Sequence, residues 1–485
     1  MDAQAISCGD WSLRMSQALY QDLHAHLFPG DGDEHGAVIE AGLATLGGRQ
    51  VLLARRLWKA QDGVDWLPGT RGYRMLPAAY VTKRIRECRA ERLVYLAVHN
   101  HGGRSSVEFS SVDLATHKRG FPALLDVMKG VPVGALVFAE DAVAGDIWTA
   151  DGRRHALCEA VVVGPARKRL TPVSDGRDGP ADPRFDRQVR LFGASGQAVL
   201  GKTRVAIVGV GGVGILLAEY LGRLGVGKIV VVDPDHVDPT NIPRMVDATG
   251  WDAMSWLVSS ERPAWARALG RRIATSKVRL AARVIHKANP RARVLQFRTD
   301  MENPAALEAI KGCDYVFLAA DSHRARLLFN ALVHQFLIPG AQLGSRIRSD
   351  AATGVVEHVH TVTRWVLPDR GCLVCNQQIN PARLQEESIS ASMRARQKYT
   401  DDPDVVAPSV ITLNAMTAAQ AANDFLFYIT GLARPDAFSG YIRSHPLLRR
   451  LEMLSPRKDV ACSHCGQTSD SRFGRGDTVA LPLVD

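Results

Sequence analysis

Hydrophobic positions along this chain fall into two regimes. In the first, short apolar runs (GAVIEAGL, RQVLLARRLW, LVYLAVHNH, GALVFAED and ALCEAVVVG) alternate with amphipathic stretches such as Ala79 to Glu91. Runs of that length between helical periods predict an α/β sandwich. The second regime opens on TRVAIVGVGGVG, a buried strand turning into a helix that ends near Leu224, followed by a second strand, KIVVVD. Strand, helix and strand in that order predict a βαβ unit of Rossmann type. Further strands are expected at ARVLQFR, DYVFLAA and GAQLGS, and helices over residues 277–288 and 322–336. Residues 164–183, GPARKRLTPVSDGRDGPADP, have no apolar period and are rich in Pro, Gly, Asp and Arg, so they are the expected linker. Domains are therefore expected over 1–163 and 184–485, and no internal repeat is visible.

Composition narrows the class. A chain of 485 residues with 46% hydrophobic and 23% charged positions is too long for one core and ordinary for soluble protein. No apolar run approaches the roughly 18 residues of a bilayer span, and the N-terminal MDAQAISCGDWSLRMSQ lacks a basic segment leading into an apolar one. A cytoplasmic protein without membrane contact is expected. Of eight cysteines, Cys8, Cys88, Cys158 and Cys313 are scattered without framework spacing, in keeping with a reducing compartment. The net charge of +10 is spread over dispersed arginines. That distribution favours a solvated surface or an acidic protein partner over nucleic acid.

Three motifs carry chemistry. Gly209-Val-Gly211-Gly212-Val-Gly214 lets backbone N–H groups and a helix N-terminus approach phosphate, although such turns also bind NAD or FAD. Asp233 closes the next strand, where a carboxylate can hold ribose hydroxyls. Cys372/Cys375 and Cys462/Cys465 form two Cys-x-x-Cys pairs, whose four thiolates suit a structural zinc. Upstream, His99 and His101 follow the strand LVYLAV, so alternation turns both imidazoles to one side, and Asp113 can add a carboxylate from the next helix. Two imidazoles and one carboxylate leave a position for water, the open arrangement of a hydrolytic zinc.

Arg184-Phe-Asp-Arg187-Gln188, the glycine turn, Asp233-Pro-Asp235, Asn241-Ile-Pro-Arg244, Lys277 ahead of Asn289-Pro290, Asp321 in LAAD and the paired cysteines occur in that order. On these residues, 184–466 resembles the ThiF/MoeB family, the adenylating fold shared with ubiquitin-activating enzymes. The resemblance implies that the four glycines and Asp235 line an ATP site, that Asp233 binds ribose, and that Asn241, Arg244 and Lys277 contact the phosphates. It further implies that Asp321 positions Mg²⁺ and that Arg187 enters the neighbouring subunit's site, hence a homodimer. Two features depart from the pattern. The segment between Arg244 and Lys277 is longer than the family's usual link, so an added loop or short helix is expected beside the ATP pocket. Residues 376–461 contain no cysteine, so the thiolate of covalent transfer is missing and the chain resembles members that stop at the acyl adenylate. Cys313 reads as a packed thiol.

His99-Asn-His101 followed by Ser110-Ser-Val-Asp113 resembles the JAB/JAMM metalloproteases. The likeness implies a general base at the start of an early strand, Glu34 with Glu40 as the alternative, and assigns Ser110 to the tetrahedral oxyanion. Gly102 stands where proline commonly follows the second histidine, and His117 is read as non-catalytic. Joined, the two halves imply zinc-dependent processing or deconjugation of a ubiquitin-like, β-grasp protein and ATP-dependent adenylation of its C-terminal carboxylate. The acyl group would pass to a conjugating enzyme or a sulfur donor, in sulfur transfer or in antiphage defence. The competing readings are a non-catalytic scaffold or sensor and a dehydrogenase, for which no hydride-transfer site is visible.

Overall fold

A computed structural model describes residues 11–68, 74–173, 182–350, 353, 355–388, 408–434 and 440–483. Cys8 and linker positions 174–181 lie outside the described residues. The chain divides into two compact units. Unit 1 holds residues 1–177, 334–337 and 459–480; unit 2 holds 178–333, 338–458 and 481–485.

Unit 1 runs β1 (Trp11–Ser16), α1 (Gln17–Leu27), β2 (Gly36–Leu46), β3 (Arg49–Lys59), α2 (Ala78–Glu91), β4 (Val94–Asn100), α3 (Ser111–Met128), β5 (Val133–Phe138), β6 (Val143–Trp148), β7 (Arg154–Val163) and β8 (Lys168–Leu170). The sheet order is β1-β3-β2-β4-β5-β6-β7-β8, and a further parallel pairing of β1 with β7 closes the sheet on itself. Gly47 and Gly48, with φ of +57° and +84°, form the two-residue turn that joins β2 to β3. One face packs on α1 through Leu19, Leu23 and Leu27 against Leu52, Leu96 and Leu136. The other packs on α2 and α3 through Ile85, Cys88, Phe121 and Leu125 against Val38, Tyr95 and Val133. The opening β1-α1 pair was not expected from sequence; WSLRMS buries alternate residues Trp11, Leu13 and Met15 and is a strand.

Residues 459–480 belong to unit 1, although the sequence boundary placed them with the second domain. Their anchor is Arg55, fully buried in β3, whose guanidinium donates to the carbonyls of Thr468, Ser469, Ser471 and Phe473. Asp477 accepts from the Thr45 amide at 2.8 Å on the same sheet. A charge so buried needs acceptors, and these carbonyls meet its two terminal nitrogens, which fixes the tail's path, while Nε is buried without a hydrogen-bond partner among the described residues. Cys158 is disulfide-bonded, which corrects its reading as a scattered thiol; Cys88 and Cys313 are buried.

Unit 2 runs α4 (Asp186–Lys202), β9 (Arg204–Val208), α5 (Gly212–Leu224), β10 (Lys228–Val232), α6 (Ala264–Ile273), α7 (Lys277–Ala288), β11 (Arg293–Phe297), α8 (Pro304–Lys311), β12 (Tyr315–Leu318), α9 (His323–Gln335), β13 (Gly340–Ser349), β14 (Val356–Val366), α10 (Ile411–Thr430), β15 (Tyr441–His445) and β16 (Arg450–Leu454). The sheet order is β11-β10-β9-β12-β13-β14-β15-β16; the first five strands are parallel and the last three add antiparallel. Strand order reverses between β9 and β12, and ligands of such sheets sit in the crevice at the strands' C-terminal ends there. Val205, Ile207, Ile229, Val231, Tyr315 and Phe317 pack on α5, α7 and α10. No described helix is long and apolar enough to cross a membrane.

Candidate functional site

The crevice of unit 2 is built by close backbone approach. Gly209 sits at φ +87° directly after β9, and a Cβ there would lie 2.6 Å from the Ala320 amide nitrogen. A Cβ on Gly214 would lie 2.0 Å from the Gly209 carbonyl oxygen, so α5 enters the turn only because both positions are glycine. Gly211 precedes the helix in an extended conformation with open space around its Cβ position. Free amides of the first turn of α5 thus face an open crevice, the arrangement that attracts phosphate.

Asp233, buried at the end of β10, accepts from the Val210 amide at 2.7 Å and the Asp235 amide at 2.9 Å. Burial raises its pKa, and Lys277 and those two amides oppose the rise. Lys277, at the start of α7, places Nζ 2.6 Å from Asp235 Oδ2 and 3.9 Å from Asp233 Oδ1. Its backbone amide donates to the Asp235 carbonyl, which fixes the helix start against the same turn. Asn241 is buried and accepts the Asp238 amide in a capping box that opens the short turn Pro239–Arg244. Arg244 at the end of that turn is half-buried and makes no side-chain hydrogen bond or ion pair with a described residue. Asp321, three residues beyond β12, is exposed. Arg187 is exposed on α4 and likewise lacks a described partner.

The long segment after Arg244 forms a short helix, Ser255–Val258, and α6. Arg283 on α7 ties it down by bonding Asp247 and Asp252 at 2.8 and 2.9 Å. Its end is stitched to the Asp235 turn, since the Val237 amide donates to the Thr275 carbonyl at 2.8 Å. Asn414 on α10 escaped the sequence reading, because nothing in an alanine-rich helix some 200 residues downstream marks it. It is buried against Gly212, receives the Ser345 hydroxyl at 3.1 Å and donates to the Ser409 hydroxyl at 3.1 Å.

In unit 1, His99 and His101 at the end of β4 turn toward each other, with Nε2 atoms 3.2 Å apart. Asp113 Oδ2 lies 3.7 Å from the first and 3.5 Å from the second. Ser110 caps α3, and its amide and hydroxyl both donate to that same Oδ2, at 2.8 and 2.6 Å. Burial works to raise the Asp113 pKa, but bonds from His101, His99 and Ser110 outweigh it and hold the carboxyl far below its usual range. The three donors converge within 4.8 Å of one another. His101 Nδ1 lies 3.0 Å from the Glu108 carbonyl, which leaves Nε2 for a metal. Imidazole, imidazole and carboxylate with an oriented outer contact fit zinc.

Glu34 Oε1 lies 3.9 Å from His101 Nε2. Asn100 brackets it, accepting the His35 amide at 2.6 Å and donating to the Asp33 carbonyl at 3.2 Å. That positioning role of Asn100 was invisible in the sequence, where it only marked the strand's other side. Glu40 is elsewhere: it stands opposite Tyr95, four residues along β4 from His99, buried and paired with Arg56 at 3.1 Å. It lines a cavity of about 470 Å³ with Arg56, Trp58, Glu87 and Glu91 that none of the triad touches. His117 bonds Asp146 at 2.8 Å rather than joining the triad.

The cysteine pairs fall in different units. Cys372 and Cys375 sulfurs are 3.5 Å apart in unit 2, and Cys462 and Cys465 sulfurs lie within 4.8 Å of each other in unit 1.

A family model described as the ThiF family matches residues 185–464. The maize adenylyltransferase and sulfurtransferase MOCS3-1 is 30% identical over 172 residues, 34% of this chain and 32% of that protein. The sulfur carrier protein adenylyltransferase of Thermus thermophilus is 30% identical over 149 residues, 30% of this chain and 48% of that protein. The chain thus spans less than half the length of these curated relatives. Among solved structures, Escherichia coli MccB with ATP is 19% identical, with a TM-score of 0.41 covering 59% of this chain and 75% of that one.

Proposed function

Given that this chain belongs to the ThiF family, we propose that unit 2 activates the C-terminal carboxylate of a ubiquitin-like or sulfur-carrier β-grasp protein as an acyl adenylate. A carboxylate oxygen of that protein attacks the α-phosphorus of ATP; the bond from that phosphorus to the bridging oxygen breaks, and diphosphate leaves. The observation that carries this reading is the convergence of Lys277, Asp235 and Asp233 beside the glycine turn, with Arg244 left without a described partner. Two cations and the first turn of α5 offset the charge that gathers on the phosphates. Lys277 is held by Asp235 and exchanges that partner for phosphate when nucleotide arrives. Asp233 receives the ribose, and Asp321 would hold Mg²⁺, which supplies further charge neutralisation. Arg187 would complete the site of a second copy in a homodimer.

Unit 1 is proposed to be a JAB/JAMM-type zinc hydrolase acting on the same protein, with His99, His101 and Asp113 holding the metal. Zinc bound there would supply a water of lowered pKa. Glu34 is placed to take that water's proton; Glu40, sequestered by Arg56, is not. The Ser110 amide keeps Asp113 in its ligating orientation, and the Ser110 hydroxyl is proposed to steady the tetrahedral oxyanion. Cys372, Cys375, Cys462 and Cys465 are proposed as structural zinc ligands. With no cysteine between the pairs, the activated acyl group passes to an external thiol.

Exchange of labelled diphosphate into ATP, tested against a panel of β-grasp proteins ending in Gly-Gly, checks the first half. Exchange that requires one of them and vanishes in Asp321→Ala supports the reading; absence of ATP binding by the wild-type chain refutes it. For the second half, Glu34→Gln should abolish cleavage of a fusion at that protein's C-terminus and leave exchange intact.

A further inference from the structure

We propose that unit 1 holds a second ligand site, in the cavity between β2, β3 and α2, and that its ligand is an organic cation, an alkyl ammonium or guanidinium. The lining of this cavity of about 470 Å³ includes Glu40 of β2, Arg56, Leu57 and Trp58 of β3, and Glu87 and Glu91 of α2. Its volume is in the range of small-molecule pockets, roughly 300 to 1,000 Å³. Register explains how the charged groups gather. Glu40 pairs with Arg56 and Ala41 with Ala54, so Arg55 is an extra residue with nothing opposite it. Bulges of this kind re-aim side chains and are common next to active sites; here Arg55 goes to the tail and Arg56 to the cavity. Glu87 and Glu91 follow one helical turn apart on α2.

The three carboxylates are unequally neutralised. Glu91 takes both terminal nitrogens of Arg56, at 2.7 and 3.2 Å, and Arg475 at 2.8 Å. Glu87 holds Arg84 at 2.6 Å. Glu40, 0% exposed, receives at Oε2 only the Arg56 nitrogen that Glu91 already binds, at 3.1 Å. Its Oε1 is buried and has no hydrogen-bond partner among the described residues. Burial raises the Glu40 pKa by more than Arg56 lowers it. A buried carboxylate oxygen left bare is unfavourable, and this carboxylate stands in the wall of a cavity. Water can supply a hydrogen bond there but not the missing positive charge.

The missing partner is therefore a cation with directional donors. These acids do not converge as metal ligands: among the described residues, only the His99 triad and the four cysteines bring three or more metal-binding side chains within 4.8 Å of one another. An ammonium or guanidinium needs instead one carboxylate for its head and apolar surface for its stem, which the Trp58 side chain supplies. The Trp58 ring already accepts one guanidinium, that of Arg84, 4.0 Å from its centroid. Glu87, the most exposed of the three acids, offers a second carboxylate nearer solvent. Glu40 stands opposite Tyr95 and Gly36 opposite His99, so this site and the triad share one strand pair, roughly 13 Å apart. The proposal needs neither the adenylation nor the hydrolase reading. The same cationic head occurs on free amines and on lysine or arginine side chains, and the test separates the two sources.

The test is titration calorimetry on the full chain with two probes: agmatine, standing for a free amine, and Nα-acetyl-lysine methylamide, standing for a lysine side chain. Saturable binding of at least one is expected, and the tighter of the two names the source. Glu40→Gln, close in size, should weaken binding at least about tenfold, and Glu87→Gln about threefold. Asp22→Asn removes an exposed carboxylate on α1 that holds Lys59 at 2.7 Å and should bind as wild type does. Melting curves establish whether Glu40→Gln is folded; where it is not, Glu87→Gln decides. Absence of saturable binding by both probes overturns the proposal, as does wild-type affinity in the Glu40 and Glu87 variants. An equal loss in Asp22→Asn marks diffuse attraction to surface acids and overturns it too.

Discussion

Two glycines in one turn make opposite predictions. An alanine at position 214 would put its Cβ 2.0 Å from the Gly209 carbonyl oxygen, while one at 211 would meet nothing within 4 Å. The first contact must open by ~1 Å before it stops repelling. Gly209 cannot retreat, because its own Cβ position is 2.6 Å from the Ala320 nitrogen, two residues past the end of β12. Overpacking of this kind costs ~3 kcal/mol, a fall of roughly 6 to 12 °C in the melting of a unit this size. Gly211→Ala keeps its extended backbone; the gain from a stiffer unfolded chain and the poorer capping by alanine roughly cancel, within about 0.5 kcal/mol. Its methyl group instead fills the space in front of the first turn of α5. Calorimetric melting with and without ATP should thus show Gly214→Ala destabilised, and Gly211→Ala as stable as wild type but no longer shifted by nucleotide. A Gly214→Ala protein that melts with wild type, or a Gly211→Ala protein that binds ATP unimpaired, would refute the reasoning.

Burial raises Asp424 to about 6, opposed only by the Gln420 amide, while its unfolded value is 3.8. The folded chain binds the extra proton between these values, so stability is full below pH 4 and declines as pH rises through 6, by up to about 3 kcal/mol. Asp424→Asn should flatten that decline in urea midpoints measured at pH 5 and pH 7.5; an unchanged slope would contradict it. Arg55→Met strips four carbonyls of their donor, and a loss of ~3 to 5 kcal/mol is expected. Hydrogen exchange should quicken first across 459–480, and slow exchange there would disprove the anchor. Removing an imidazole by His99→Ala should lower bound zinc by one equivalent in metal analysis and leave ATP affinity untouched; unaltered zinc content would unseat the triad.

Local pattern made much of this legible. The strands at KIVVVD and DYVFLAA and the helices near 277–288 and 322–336 announce themselves because each buries a continuous apolar face whose period is visible in the residues alone. The glycine turn is equally plain, since close approach leaves no other residue type. What sequence hides is what long-range pairing decides. β14, VEHVHTVTRWV, has polar residues on its open face and reads as no strand until β13 and β15 flank it. Asn100 and Asn414 gain their positions from partners about 65 and 70 residues away. The choice between Glu34 and Glu40 was open on paper because both lie near the start of β2; Arg56 and the bracket of Asn100 separate them in space.

The most direct test of the account follows one oxygen atom. A β-grasp protein that supports diphosphate exchange is labelled with ¹⁸O in its C-terminal carboxylate and turned over with ATP and a thiol acceptor. If a carboxylate oxygen attacks the α-phosphorus, the AMP released on transfer carries one ¹⁸O from the protein. AMP or ADP without label, formed at the same rate, would contradict acyl adenylation at this cleft.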